Sequence, residues 1–156
     1  MIEIFRERRV AADPAAVWAV VAAPERAAEW FAFADRVEVL DGDGDGVGQH
    51  QRQHGTWGRR RAEIDREITE YDAPHRYGWR HVAERLDGRP APVFARSTHF
   101  RISLEPAGDG TLVRLHSAQQ PASAVRGLVM RAFGAREIGG NMDRSLDRLA
   151  ALFPAS

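Results

Sequence analysis

The chain has 156 residues, enough for one domain that buries a hydrophobic core. Its 22 basic residues balance its 22 acidic residues, and every basic one is arginine. A net charge of zero gives no global field that would attract nucleic acid or an anionic membrane. Because the chain lacks cysteine, it has no disulfide, no thiol nucleophile and no thiolate metal site.

The N-terminal residues carry charges at every second or third position and lack an apolar core, which argues against a signal peptide. No apolar run approaches the roughly 20 residues of a membrane span. We therefore expect a cytoplasmic protein without a membrane span. The arginine bias and the many alanines are typical of a GC-rich bacterial genome; a functional demand for guanidinium groups is the alternative.

The chain begins with a predicted strand and two helices. Residues 2–10 alternate weakly in hydrophobicity, which predicts a strand. Asp13 is placed to cap a helix that starts with Pro14, and Pro24 ends that helix. Residues 25–30 are predicted to form a second, short helix.

Most of the middle of the chain is predicted to be strand. One strand spans residues 36–40 and ends in a turn rich in glycine and aspartate at residues 41–46. Turn residues then separate five further strands: 47–57, 60–71, 75–85, 93–106 and 111–120.

Residues 122–153 are predicted to form one long closing helix with an apolar stripe. The stripe comprises Val125, Leu128, Val129, Ala132, Phe133, Ile138, Met142, Leu146, Leu149 and Leu152. Its spacings are mostly three and four, with one step of five that coincides with Gly134 and the pair at residues 139–140. Two interpretations stay open: a kink or break in the helix, or small residues that clear space for a ligand beneath it.

Several segments carry family motifs. Residues 10–18 read Val-Ala-Ala-Asp-Pro-Ala-Ala-Val-Trp, and residues 24–30 read Pro-Glu-Arg-Ala-Ala-Glu-Trp. Together with the strand–turn–strand of residues 66–79, the turn of residues 104–111 and the helix of residues 141–152, they resemble the SRPBCC superfamily. That superfamily includes START domains, birch-pollen-type allergens and polyketide cyclases, and the resemblance covers essentially the whole chain.

The resemblance implies an α+β helix-grip fold. A seven-stranded antiparallel sheet would wrap around the long C-terminal helix and enclose an internal cavity, with two short helices after the first strand. Residues 1–156 would form a single domain. The motifs are structural, so they are specific for the fold and nearly silent on chemistry.

Strand alternation predicts the side chains that face the cavity. The aromatic ones are Tyr77, Trp79, Phe94 and Phe100. The polar ones are Arg66, His81, Arg96, Thr98, Ser117 and Gln119. The strand 47–57 is ambiguous, because three glutamines alternate with His50, Arg52 and His54; its apolar ends favour the glutamines inside.

An arginine buried without partners is costly. Either these arginines lie near the cavity mouth and extend outward, or they pair with carboxylates or with a polar ligand. The second alternative favours an oxygen-rich ligand, such as a polyketide-like chain, on an aromatic floor.

His81 is the candidate acid or base, because it shares a face with Trp79 and imidazoles titrate near neutral pH; a structural role is the alternative. We expect no metal site, since His50 and His54 would lie about 13 Å apart on a strand. Residues 41–46 mimic a calcium loop but place Arg52 where a glutamate is required, so we expect a hairpin turn.

Three functions are compatible with the sequence. The first is a polyketide cyclase- or dehydrase-like enzyme; the second is a non-catalytic carrier or sensor for a small hydrophobic molecule. The third, a cochaperone-like or toxin-like surface protein, is disfavoured because the sequence shows no extended exposed apolar patch. The candidate catalytic residues are His81 and Arg66. The candidate ligand-binding residues are Tyr77, Trp79, Phe94, Arg96, Thr98, Phe100, Gln119, Gln51, Met142, Ile138 and Trp30. We expect no cofactor, no nucleic acid partner, and a monomer or homodimer.

Overall fold

The computed structural model describes residues 1–42 and 46–155. Its strands are β1 (Ile2–Val10), β2 (Arg36–Asp41), β3 (His50–Trp57), β4 (Arg60–Asp72), β5 (Arg76–Leu86), β6 (Arg89–Pro90), β7 (Ala95–Ala107) and β8 (Gly110–Pro121). Seven of them form one antiparallel sheet in the order β1-β8-β7-β5-β4-β3-β2, and the short β6 pairs with β5.

Two helices follow β1, as the sequence predicts. They are α1 (Pro14–Val21) and α2 (Ala27–Trp30), joined through a 3₁₀ turn at Pro24–Arg26. The predicted cap of α1 is confirmed, because Oδ1 of Asp13 accepts a hydrogen bond of 2.8 Å from the backbone N–H of Ala16.

The closing helix has three parts: α3 (Ala124–Val129), a π-helical segment (Met130–Gly134) and α4 (Ala135–Leu152). A π-helical turn carries i→i+5 hydrogen bonds and so holds one residue more than an α-turn. The wide turn overlaps the start of the step of five in the apolar stripe, which runs from Phe133 to Ile138. The helix continues through this region without a break.

The helices lie across one face of the sheet, and the core is between them. Exposed ion pairs attach α4 to β1: Arg6 pairs with Asp143 at 3.3 Å, and Arg8 pairs with Asp147. The predicted helix-grip architecture is confirmed, with a long C-terminal helix and two short helices after the first strand. No helix in the described part of the chain combines the length and the apolarity needed to cross a membrane.

The apolar stripe is buried only in its second half. Met142 and Leu149 are fully buried, whereas Val125, Leu128 and Phe133 are 71%, 68% and 73% exposed. The expectation that the chain carries no extended exposed apolar patch is therefore wrong. The prediction failed because helical periodicity shows which residues share a face of the helix, but not which face packs against the sheet.

Gly139 makes room for a side chain of the protein itself. A Cβ atom at this position would lie 2.5 Å from Nη2 of Arg6 and 3.2 Å from its Cζ. The space beside this glycine is thus occupied by the β1 arginine, which argues against the interpretation that it is cleared for a ligand.

Two bulges shift the alternation on which the sequence analysis depended. In β7, the pairing with β8 shifts between Ala95 and Ser97, so Arg96 is exposed and does not line the interior. The prediction that Arg96 faces inward is wrong for this reason. In β5, the pairing with β4 skips Val82, which turns Glu84 rather than Arg85 toward the side of Trp79.

The remaining differences concern element ends. The strand predicted at residues 47–57 begins at His50, and the turn predicted at residues 87–90 contains β6. Residues 43–45 of the predicted hairpin turn lie outside the described residues.

Candidate ligand-binding site

Three glutamines, one just before β3 and two within it, point into the protein. Gln49 precedes β3 and is 3% exposed; Gln51 and Gln53, within β3, are 0% and 4% exposed. Because side chains of a strand alternate between faces, the intervening His50 and Arg52 lie on the outer face.

Cross-strand ion pairs explain why His50, Arg52 and His54 of β3 lie on the outer face of the sheet. Arg52 donates to Asp65 of β4 at 2.7 Å, and His54 contacts Glu38 of β2 at 2.7 Å. His50 lies 3.3 Å from Glu67. The acidic residues of β4 at positions 63, 65 and 67 share the outward parity, and this pattern could have resolved the ambiguity from the sequence.

Arg66 of β4 is held by the inward glutamines. Its Nε donates to Oε1 of Gln51 at 2.9 Å, and its Nη1 donates to Oε1 of Gln53 at 3.2 Å. Nε2 of Gln51 in turn donates to Oε1 of Gln49 at 2.6 Å and to the hydroxyl of Tyr77 at 3.1 Å. The side chains form one hydrogen-bonded network inside the protein.

The guanidinium of Arg66 is buried between aromatic rings. Its Cζ lies 3.9 Å from the ring centroid of Trp79 and 5.9 Å from that of Phe31. No described carboxylate forms an ion pair with it. Burial lowers the pKa of Arg66 to about 10, partly offset by the Tyr77 hydroxyl, so the group remains a cation at neutral pH.

A second buried donor lies next to this cation. Nε1 of Trp79 is buried and has no hydrogen-bond partner among the described residues. Trp79 and Arg66 both line a small void of about 10 Å³, together with Tyr77, Trp30 and Phe31. A void of that size holds at most one water molecule. Burial also raises the pKa of Tyr77, which keeps its phenol neutral.

A larger hollow of about 450 Å³ lies between the sheet and the closing helix. Its walls combine apolar and aromatic groups with amide and hydroxyl groups, and carboxylates lie at its rim. The lining includes Phe33, Gln53, Ile64, Glu84, Leu86, Phe94, Thr98, Gln119, Met130, Glu137, Ile138 and Asn141.

Gln53 connects the hollow to the buried cation. Its side chain lines the hollow, its Oε1 accepts from Arg66, and its Nε2 donates to the backbone carbonyl of Phe33 at 3.4 Å. One amide therefore separates the Arg66 guanidinium from the hollow.

His81 lies at the edge of this region. It is opposite Arg66 in the β4–β5 pairing, and its side chain is 16% exposed. Its Nδ1 lies 3.5 Å from Oε1 of Glu84, which is an ion-pair distance without hydrogen-bond geometry. The interaction with His81 lowers the pKa of Glu84, so this half-exposed carboxyl is ionised at neutral pH.

The predicted site residues fall into three groups. The first group lines the hollow: Phe94, Thr98, Gln119 and Ile138. The second group surrounds or supports Arg66: Gln51, Tyr77, Trp79 and Trp30. The third group belongs to the core: Met142, and Phe100, which stacks on Trp79. Arg96 joins none of these groups, and His81 lies beside them.

Sequence reasoning missed several residues of the site. Phe31 and Phe33 come from the turn after α2, where no periodicity assigns a direction. Gln53 was indicated only by parity on an ambiguous strand, and Glu84 only after the β5 bulge. Among residues 1–42 and 46–155, no three His, Asp or Glu side chains are grouped to hold a metal ion.

Known folds support this architecture. TTHA0849 from Thermus thermophilus is 17% identical with a TM-score of 0.75, and the alignment covers 96% of this chain and 95% of that one. XoxI from Bacillus cereus is 13% identical with a TM-score of 0.73, covering 98% and 96%. Ginseng major latex-like protein 151 from Panax ginseng is 11% identical with a TM-score of 0.73, covering 99% and 98%. At such identities the likeness establishes the fold.

No curated protein matches the sequence. A family model does: the one described as polyketide cyclase / dehydrase and lipid transport matches residues 1–154. The match spans nearly the whole chain and agrees with the helix-grip architecture and with the resemblance to the SRPBCC superfamily. The chain belongs to the polyketide cyclase / dehydrase and lipid transport family.

Proposed function

We propose that the protein binds a small hydrophobic molecule that carries oxygen acceptors, such as a polyketide-like compound, in the hollow beneath the closing helix. Residues 1–156 would act as one domain, as a monomer or homodimer, in bacterial secondary metabolism.

The position of Gln53 carries this proposal. Its amide faces the hollow and at the same time accepts from the buried Arg66, which has no carboxylate partner among the described residues. A ligand carbonyl or phenol oxygen at Gln53 would be stabilised by a cation in a site of low dielectric, where such interactions are strong. A pure hydrocarbon chain would leave this polarity unused.

The walls of the hollow support the same ligand class. Phe33 and Phe94 offer aromatic surfaces, while Thr98 and Gln119 add hydrogen-bonding groups on neighbouring strands. A few convergent polar groups on an apolar lining are typical of small-molecule sites.

Binding can be tested by filling the hollow. In Ile64→Trp the new indole would occupy the space that Ile64 lines, and we expect the affinity for 1,8-dihydroxyanthraquinone to fall at least tenfold in a fluorescence titration. Thr69→Trp, on the exposed side of the same strand, is the matched control and should bind like the wild type. Equal affinities for the two variants, or tighter binding of palmitate than of the anthraquinone, would contradict the proposal.

The contact of His81 with Glu84 favours catalysis as a second candidate function. Glu84 lines the hollow, and its carboxylate could accept a proton from the methylene between two ketones while Arg66 stabilises the enolate through Gln53. The reaction would be an aromatase/cyclase- or dehydratase-type step on a polyketide-like substrate. Without such a step, the protein is a carrier or sensor.

Turnover of a poly-β-keto chain separates these alternatives. An enzyme should lose at least tenfold in kcat in Glu84→Gln and His81→Ala while its affinity for the anthraquinone stays within threefold. A wild type that binds the anthraquinone but leaves the poly-β-keto chain unchanged is a carrier or sensor.

A further inference from the structure

The first half of the closing helix presents an apolar patch to solvent. We define the α3 patch as Val93, Val125, Leu128, Val129 and Phe133, whose exposed fractions are 57%, 71%, 68%, 43% and 73%. The four helical members are spaced by three, one and four residues, so they share one face. The hydrogen bond from Ala122 N to Phe94 O places the start of the helix beside Val93.

The patch projects outward instead of forming a groove. Leu128 and Phe133 each expose more than two thirds of their surface, so little of either side chain contacts the protein. A partner protein would need a complementary pocket for each of these side chains. A lipid layer has no such requirement, because the acyl region accommodates any protruding apolar group.

The sequence segments that carry the α3 patch are rich in arginine, although the whole chain is neutral. Residues 88–104 and 110–136 contain seven arginines and no aspartate or glutamate. Arg101 and Arg114 pair with carboxylates of other strands. The other five form no ion pair with a carboxylate of the described residues: Arg89, Arg96, Arg126, Arg131 and Arg136.

One of these arginines also holds the patch in place. Nη1 of Arg126 donates to the carbonyl of Val93, and its Cζ lies 5.7 Å from the ring centroid of Phe94, which lines the hollow. Met130 points the other way from the patch, is buried, and lines the hollow as well. The outward apolar face and the hollow are thus opposite sides of one short helical segment.

We propose that the α3 patch docks the protein on an anionic membrane surface. Leu128 and Phe133 insert among the acyl chains near the headgroups, and Arg96, Arg131 and Arg136 contact the anionic headgroups. This inference concerns the surface and does not depend on the identity of the ligand in the hollow.

The test uses the full chain and vesicles of phosphatidylcholine with or without 30% phosphatidylglycerol. We expect the wild type to float with the anionic vesicles at low salt and to dissociate at high salt, because headgroup attraction is screened. Leu128→Ser/Phe133→Ser should weaken the partition at least tenfold. Val39→Ser/Leu40→Ser, which removes exposed apolar side chains from β2, should leave it unchanged.

The absence of native cysteine allows the depth of insertion to be measured. An environment-sensitive dye on Leu128→Cys should shift to shorter wavelength with anionic vesicles, whereas the same dye on Val39→Cys should not. No flotation of the wild type, or equal flotation of the patch variant, would overturn the proposal. Dimerisation that the patch substitutions abolish, without vesicle binding, would assign the patch to a second copy and would also overturn it.

Discussion

The guanidinium of Arg66 lies over the indole of Trp79, with Cζ 3.9 Å from the ring centroid, and Phe100 stacks on Trp79 at 4.9 Å between centroids. A cation thus lies within the aromatic core. It is stabilised by amide oxygens and π-faces where a carboxylate would be usual. This relationship gives the site its polarity and makes it sensitive to substitution.

Removing the Arg66 side chain should destabilise the protein. Arg66→Ala leaves two buried amide oxygens without a donor and creates a cavity, so we expect the free energy of unfolding to fall by about 3 kcal/mol. Arg66→Met fills much of the space and removes the buried charge, and should cost about half as much. Denaturant unfolding followed by circular dichroism measures both, and an Arg66→Ala variant as stable as the wild type would refute the assigned role.

The carboxyl of Asp65 should make stability depend on acidity. The hydrogen bond from Arg52, reinforced by Arg85 at 2.8 Å, lowers the pKa of Asp65 to about 2. Between that value and its ordinary pKa near 3.8, the unfolded chain binds more protons than the folded one, so stability rises with pH in this window. The contribution is complete above the window and is lost as the pH falls to 2.

Substitution of the same residue tests this dependence. Asp65→Asn should flatten the acid limb of stability between pH 4 and pH 2 and lower the free energy of unfolding at pH 7 by about 2 kcal/mol. Asp72→Asn, at the exposed end of β4, should preserve the slope. Chemical unfolding across this pH range is the measurement, and an unchanged slope in Asp65→Asn speaks against the assignment.

Adjacent glycines of α4 should respond in opposite ways. Gly140 has only ordinary contacts with the end of Arg144, so Gly140→Ala should stabilise the helix by up to about 1 kcal/mol. Gly139→Ala must displace Arg6 and weaken its ion pair with Asp143, which removes this gain. Thermal unfolding should therefore rank Gly140→Ala above Gly139→Ala; the reverse order would mean that Arg6 does not occupy this space.

Ser145 connects the closing helix to the aromatic turn of the site. Its hydroxyl donates to the carbonyl of Asn141 and accepts from the N–H of Ala32, between the two phenylalanines near Arg66. Ser145→Ala leaves that N–H without its partner and should lower the free energy of unfolding by about 1–3 kcal/mol.

Ser123 provides the control for Ser145, because its hydrogen bond lies within one helix. Ser123 caps α3 through the N–H of Arg126, so Ser123→Ala should cost about 1 kcal/mol, confined to the exposed start of the closing helix. Hydrogen exchange distinguishes the two variants, because only Ser145→Ala should deprotect the backbone of residues 31–34. Equal protection in both would argue against the connection.

The sequence predicts the sheet well because its turns are marked by glycine, proline and aspartate, and the alternation of β4 places Arg66 inside correctly. It fails at the bulges, where one extra residue reverses the alternation and no residue type announces the change. Arg96 is misplaced for this reason, and Glu84 is overlooked. Phe31 and Phe33 depend on tertiary packing alone, which local pattern does not record.

The π-helical turn at Met130–Gly134 sets the rotational phase between the two halves of the closing helix. Because each residue of an α-helix advances the direction of the side chains by about 100°, an insertion or deletion of one residue in this turn would rotate α3 against α4 by that angle. Such a change would point the α3 patch in another direction and leave Met142 and Leu149 where they are. The number of residues in this turn, more than any of their side chains, therefore determines the direction in which the α3 patch points.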